Sequence, residues 1–183
     1  MPTTILSASR EGVRSAFGVI GFAVALAAAS QVAIPVPGTP VPFTLQPLVV
    51  VLAGLWLGPA AAVVSMVLYI AMGAVGIPVF APMGAPGIAR LFGPTGGYIL
   101  AYPVAAWIVA TVAGNSRRYV RLTAAALIGM LVLHLGGFSQ LVMLTGSASS
   151  ALALGVVPFI AFDVIKAFIA GALSLVRGER AIA

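Results

Sequence analysis

Two charge-free stretches dominate the chain. Residues 15–89 carry no charged side chain across 75 positions, and residues 91–116 carry none across 26. Apolar runs of this length are the pattern of membrane spans, each needing about 20 residues. Turn chemistry divides them. Residues 15–34 form a 20-residue uncharged block, long enough for a first span. Four prolines within 35–42 then forbid helix, because they remove donors and fix φ. Apolar sequence resumes over 46–57, breaks at Gly58-Pro59, and continues over 60–75. Both segments are short for a crossing, so they require tilt or a protein-covered edge. Residues 76–97 hold six glycines and four prolines and read as a structured loop. Loops of that length are usually functional or disordered, and the apolar content here favours packing against the protein. Further helices are expected over 98–113, over 122–144 with an interruption at Gly136-Gly137, and over 151–176. The pattern predicts an all-α membrane protein, a six-helix transmembrane bundle forming one domain over 1–183.

Charge adds orientation. Six helices place both termini on one side. The positive-inside rule then collects Arg10, Arg14, Arg117, Arg118, Arg121, Arg177 and Arg180 on the cytoplasmic face, against Arg90 alone outside. Residues 1–14 read as a short polar cytoplasmic lead, and the apolar block after them as a first helix and not a removed signal, since no small-residue cleavage site follows a short core. At 62% hydrophobic and 7% charged, the chain carries more apolar surface than a soluble domain needs. The net charge of +6 is explained by topology and not by nucleic acid, because no basic run has interleaved aromatics. With no cysteine, thiol chemistry and disulfides are excluded.

The sparse polar residues inside these blocks are the candidates for chemistry. Arg90 precedes a turn with Gly93, Pro94, Gly96 and Gly97, and a helix follows. Free N–H groups, a helix N-terminus and a guanidinium together suit a carboxylate. The alternative is an interfacial arginine snorkelling to headgroups. Thr44 and Gln46 sit at the same edge, either to hydrogen-bond a ligand or to cap the next helix. Asp163 and Lys166 lie three apart, on one helix face. Each charge at mid-membrane costs roughly 2.5–3.5 kcal/mol, so both must face inward and find partners. They either lock to each other structurally or bind a polar ligand. His134 is read as an interhelical packing group outside the site. Gly21, Ala25 and Ala29, and separately Ala23 and Ala27, repeat at spacing four and suit a close helix partner, within this protein or on another.

Much chemistry is excluded. There is no Gly-x-x-x-x-Gly-Lys-Ser/Thr phosphate loop, so the chain does not hydrolyse ATP by itself. No cluster has metal-ligand spacing, and three acids with one histidine leave little for acid–base catalysis. A channel would show polar stripes along several helices. The expectation is a non-enzymatic small-molecule binder within the membrane, without cofactor or metal.

Pro40-Val41-Pro42-Phe43-Thr44-Leu45-Gln46, Leu52-Ala53-Gly54 with Leu57-Gly58-Pro59, Gly76-Ile77-Pro78-Val79-Phe80, Gly93-Pro94-Thr95-Gly96-Gly97-Tyr98 and Asp163-Val164-Ile165-Lys166 together resemble the BioY family, in order and over nearly the whole chain. These are the biotin-specific S components, or substrate-capture subunits, of energy-coupling-factor vitamin transporters. One departure is Phe138-Ser139-Gln140, where the family pattern leads one to expect a tryptophan near Gly136-Gly137.

The resemblance implies biotin bound near the outer face of a bacterial or archaeal cytoplasmic membrane. The ring would lie among Phe43, Phe92 and Tyr98, its ureido group on Asp163 beside Lys166, and its carboxylate on Arg90. It also implies docking of Ala23, Ala25, Ala27 and Ala29 on a transmembrane coupling subunit that works with two ATPase subunits, so that ATP is used only by partners. A homo-oligomer stays open, as do another vitamin and a ligand-free structural subunit. Riboflavin and thiamine, lacking a carboxylate, would leave Arg90 unused.

Overall fold

The computed structural model describes the backbone of residues 3–180 and the side-chain environments of 15–177. The first helix, α1 (Thr3–Gln31), leads into a two-residue antiparallel pairing of β1 (Ala33–Ile34) with β2 (Phe43–Thr44). Then follow α2 (Gln46–Leu57), α3 (Pro59–Ala74), a 3-10 helix (Gly87–Phe92), α4 (Gly96–Ala113), α5 (Tyr119–Thr145), α6 (Ala148–Gly155) and α7 (Ile160–Arg180). Residues 3–14 therefore continue α1 and do not form a separate lead. The side chains of Arg10, Arg14 and Arg180, counted above toward the cytoplasmic face, lie outside the described side chains.

Among the described residues, α4 and α5 are long and apolar enough to cross a membrane. The pair α6 and α7, bent by 52°, supplies a third crossing if taken as one broken span. Ser15–Gln31, Gln46–Leu57 and Pro59–Ala74 are shorter apolar helices. The continuous helix expected over 151–176 is thus two helices, giving seven α-helices among the described residues and not six. Pro158 explains the break: it has no N–H to give the Leu154 carbonyl, and its ring crowds that turn. The carbonyls exposed there find side-chain donors, Leu154 from the Thr39 hydroxyl and Gly155 from the Tyr98 hydroxyl.

No interruption occurs at Gly136-Gly137; α5 runs straight through. These glycines serve an interhelical crossing. A Cβ on Gly136 would come 2.5 Å from the Gly97 carbonyl oxygen, and a Cβ on Gly97 would overlap the Gly136 carbonyl. The two backbones touch, and the Tyr98 ring lies over Gly137. The main core of the bundle includes Leu26, Val50, Val51, Met66, Tyr69 and Val109, each fully buried.

The segment between α3 and α4 folds back onto the bundle. Val79, Phe80 and Ala81 are buried, and Phe80 meets the Tyr69 ring edge-on at 5.5 Å. From the end of α1, the Ser30 hydroxyl reaches the Val79 carbonyl (2.6 Å) and Gln31 Nε2 donates to the Phe80 carbonyl (3.2 Å). The next carbonyls are gathered by one side chain. The Arg90 guanidinium donates to Ala81 and Met83, and its Nε to Ala85 at 3.0 Å. Gly84 makes this wrap possible. Its φ of +117° is one that L side chains rarely adopt, and a Cβ there would lie 2.5 Å from Arg90 Nη1.

Two outcomes are expected. Gly97→Ala should lower the unfolding temperature in detergent, since forcing the backbones apart costs about 1–3 kcal/mol, whereas Gly21→Ala, with nothing within 4 Å of the new methyl, should not. Gly84→Ala should unlatch the segment around Arg90. Trypsin should then cut after Arg90, whose side chain is buried in the parent protein, faster than in the parent, and fragment masses from a digestion time course would show it. Unchanged protection would remove Gly84 from the latch.

Candidate functional site

A cavity of about 640 Å³, counting its open mouth, lies between the 76–97 segment, the β2–α2 turn and helices α4, α5 and α7. Its apolar wall is Val41, Pro42, Pro47, Ala81, Ile99, Leu133 and Phe159, with the rings of Tyr98 and Tyr102. Its polar groups are Thr44, Gln46, Arg90, Thr95, His134, Asp163 and Lys166.

Asp163 and Lys166 are both buried, as their spacing on one helix face requires. Lys166 Nζ donates to Asp163 Oδ1 at 2.8 Å and to the Thr44 carbonyl at 2.8 Å, and it lies 4.2 Å from the centre of the Phe43 ring. The strand pairing β1–β2 explains the second bond: it ends at Thr44 and presents that carbonyl to α7. An ammonium has three N–H groups, so one remains for a ligand. His134 Nε2 approaches Asp163 Oδ2 at 3.0 Å.

Thr44 and Gln46 are engaged with each other. The Gln46 backbone N–H donates to Thr44 Oγ1 (3.3 Å), Thr44 Oγ1 donates to Gln46 Oε1 (3.3 Å), and Gln46 Nε2 donates to the Tyr69 hydroxyl (2.7 Å). The helix cap itself is Leu45. Thr44 thus serves the first turn of α2 from one position upstream while lining the cavity.

Arg90 is 5% exposed and reaches the cavity, and three of its five N–H groups hold the loop carbonyls described above. Burial lowers the guanidinium pKa from its ordinary value, with nearby Tyr69 opposing the change. The turn after it offers fewer free N–H groups than its glycines suggest. The Gly93 N–H is bonded to the Arg90 carbonyl and the Gly96 N–H to the Gly93 carbonyl.

Of the expected site residues, Arg90, Asp163, Lys166, Thr44, Gln46 and Tyr98 converge on the cavity. Phe43 stands behind it, edge-on to Phe162 at 5.1 Å. Phe92 is a correction: it is 71% exposed and outside the cavity. A 3-10 helix repeats every three residues, so the turn that carries Arg90 inward carries Phe92 outward. Tyr102 and Phe159 supply the aromatic wall instead. Neither stands in a polar or glycine-rich motif, so nothing local in the sequence marks them. His134 is the other omission. A lone histidine on an apolar helix was its sole signal, and only the α5–α7 contact pairs it with Asp163.

The departure at Phe138-Ser139-Gln140 is accommodated locally. Gln140 Nε2 reaches the Leu91 and Gly93 carbonyls at 3.4 Å each, tying α5 to the turn before α4. Phe138 packs behind the cavity against Val41, Leu141, Ala151 and Phe159, and Ser139 faces outward.

The alanines of α1 do not share a face. Ala23 and Ala29 are buried, Ala27 is half-buried, and Ala25 is exposed. Successive helical residues turn by about 100°, so positions two apart point in nearly opposite directions. The outward face of α1 is Phe17, Ile20, Gly21, Val24, Ala25 and Ala28.

Among the described residues, no three histidine or acidic side chains gather closely enough to hold a metal ion.

Comparison with known proteins bears on what this cavity holds. The family model for the BioY family matches residues 2–182. A probable biotin transporter BioY of Pyrococcus horikoshii is 48% identical over 128 residues, covering 70% of this chain and 75% of that protein. The biotin transporter BioY of Thermotoga maritima is 32% identical over 142 residues, covering 78% and 83%. The fold matches a crystal structure of the S-component for biotin from an ECF-type ABC transporter, with a TM-score of 0.85, 22% identity and 93% of each chain covered. Its sequence motifs, in order along the chain, and the match from residue 2 to residue 182 lead to one assignment: the chain belongs to the BioY family.

Proposed function

We propose that this protein captures biotin from outside the cell and serves as the S component of an energy-coupling-factor transporter. The observation that carries the reading is a buried Asp163–Lys166 pair and a buried Arg90 on one apolar-walled cavity. Biotin presents the complementary parts: a cyclic urea with two N–H donors and one carbonyl, a thioether-containing bicycle, and a carboxylate on a flexible tail.

The residues divide these parts by donor count. Asp163 accepts from the urea N–H groups, since a carboxylate has about four lone-pair sites and Lys166 fills one. The third N–H of Lys166 meets the urea carbonyl. Tyr98, Tyr102 and Phe159 take the bicycle, and the two remaining N–H groups of Arg90 take the carboxylate. Charge-assisted bonds contribute roughly 1.5–3 kcal/mol each, while a nanomolar site requires about 12. Ring burial supplies much of the difference, in a site whose 76–97 segment is already latched and so costs little further ordering.

In this reading the protein is a multi-pass component of the cytoplasmic membrane of a bacterium or archaeon, with both termini inside. It carries no cofactor. A transmembrane coupling subunit with two ATPase subunits supplies the energy, and α1 is the surface that meets it. On α1 the outward face around Gly21, Ala25 and Ala28 is the part free to do so.

Calorimetric titration of the purified, ligand-freed protein in detergent is the direct test. One-to-one biotin binding is expected. Asp163→Asn should weaken it at least about tenfold, because an amide turns N–H donors toward urea N–H donors in one orientation. Arg90→Ala should also weaken binding, and biotin methyl ester should bind the parent protein and this variant alike. No binding by folded protein would overturn the reading, and equal affinity of Asp163→Asn would return Asp163–Lys166 to a structural lock.

A further inference from the structure

His134 is the titratable group of the cavity wall that the scheme above leaves unused. Its side chain is 11% exposed, and its Nε2 lies 3.0 Å from Asp163 Oδ2. Nε2 faces that oxygen, Nδ1 has no partner, and both ring nitrogens are sealed from solvent. The imidazole therefore does not itself present a nitrogen to a ligand. What it touches is the oxygen of Asp163 that Lys166 leaves alone, because Lys166 holds Oδ1. The carboxylate is gripped from two sides, by its own helix and by α5. The Tyr98 ring meets the imidazole edge-on, with ring centres 6.4 Å apart.

Resting on the biotin reading, we infer that His134 is a positioning residue: it seats Asp163 for the urea, and its charge state sets how strongly that carboxylate accepts N–H bonds. With a neutral imidazole, the Asp163 and Lys166 charges balance. A proton on His134 places a second cation 3.0 Å from Oδ2. That draws down the negative potential that urea N–H groups seek, and adds to the positive charge Arg90 already brings to an apolar site. Biotin affinity falls as His134 gains its proton. The charged and titratable groups sharing this cavity are Asp163 and Lys166 on α7, Tyr98 and Tyr102 on α4, and Arg90 on the 3-10 helix. Of these side-chain types and histidine, histidine alone ordinarily titrates between about pH 5 and 8.

The test is a calorimetric biotin titration at about pH 5.5, 6.5 and 8.0 on the full chain, His134→Gln and His134→Leu. The biotin carboxylate stays ionised across that range. The parent protein should lose roughly tenfold in affinity from pH 8.0 to 5.5. His134→Gln keeps an N–H donor that does not titrate. It should bind within about threefold of the parent at pH 8.0 and show a flat profile. His134→Leu should be flat and about tenfold weaker, comparable to losing an outer-shell partner elsewhere. A flat parent profile overturns the inference, as does His134→Leu matching the parent at pH 8.0. Should neither variant fold, the parent profile decides alone. Absence of parental binding at every pH rejects the biotin reading itself, an outcome distinct from tight, pH-independent binding.

Discussion

A salt bridge between Asp163 and Lys166 in the middle of an apolar bundle sets terms for everything near it. Desolvating two ions costs more than their mutual attraction returns unless the remaining donors and acceptors are met. Here the Thr44 carbonyl meets the ammonium and His134 stands at the second carboxylate oxygen. That requirement reaches back to the shortest element in the fold. The two-residue pairing β1–β2 closes the proline-rich connection 35–42 and ends where its carbonyl can face α7. The pair is incompletely satisfied, with one ammonium N–H and several carboxylate lone pairs spare. A closed structural lock would have no such surplus. In the biotin reading the surplus is what a cyclic urea consumes.

The second constraint is how closely α4 and α5 approach. Backbone contact at Gly97 and Gly136 brings the Tyr98 ring over Gly137, and its hydroxyl onto the Gly155 carbonyl exposed at the break before α7. Thus one close crossing sets the aromatic wall, and that wall helps hold the bend that aims Asp163 and Lys166 inward. The bend also explains why α6 and α7 carry different duties. α6 closes the far end against Val41 and Phe159, while α7 carries the charges.

Much of this was legible because membrane sequence is sparse in polarity. Arg90, Asp163 and Lys166 stand out against long apolar runs, and proline and glycine mark the 35–42 and 76–97 segments without help from structure. Legibility failed where a residue's role depends on what faces it. His134 looks like a packing group until α7 is beside it. Phe92 looks like a pocket aromatic until the 3-10 period turns it outward. The alanines of α1 form a regular series in sequence, yet a 100° turn per residue scatters them around the helix. Gly136-Gly137 reads as a break along the chain and acts as a contact between chains of backbone. Pro158 could have signalled the split of the last helix, but the apolar run on both sides of it masked the break.

Arg90 joins the two constraints. It gathers the carbonyls of Ala81, Met83 and Ala85, while the end of α1 holds those of Val79 and Phe80 immediately before them. The carbonyls of the covering segment are thus divided between a helix that begins the fold and a side chain that borders the cavity. Only a forked, five-donor group can hold three carbonyls and keep N–H groups for an anion; an ammonium has too few donors and no fixed plane. The proposed carboxylate contact therefore does not compete with the latch. It adds charge to a guanidinium whose geometry the loop has already fixed, so the ordering cost is met before the ligand arrives. By the same logic, a ligand without an anion would leave the segment latched but give Arg90 no counter-charge, which is the physical reason this cavity suits a carboxylate-bearing molecule over a neutral one.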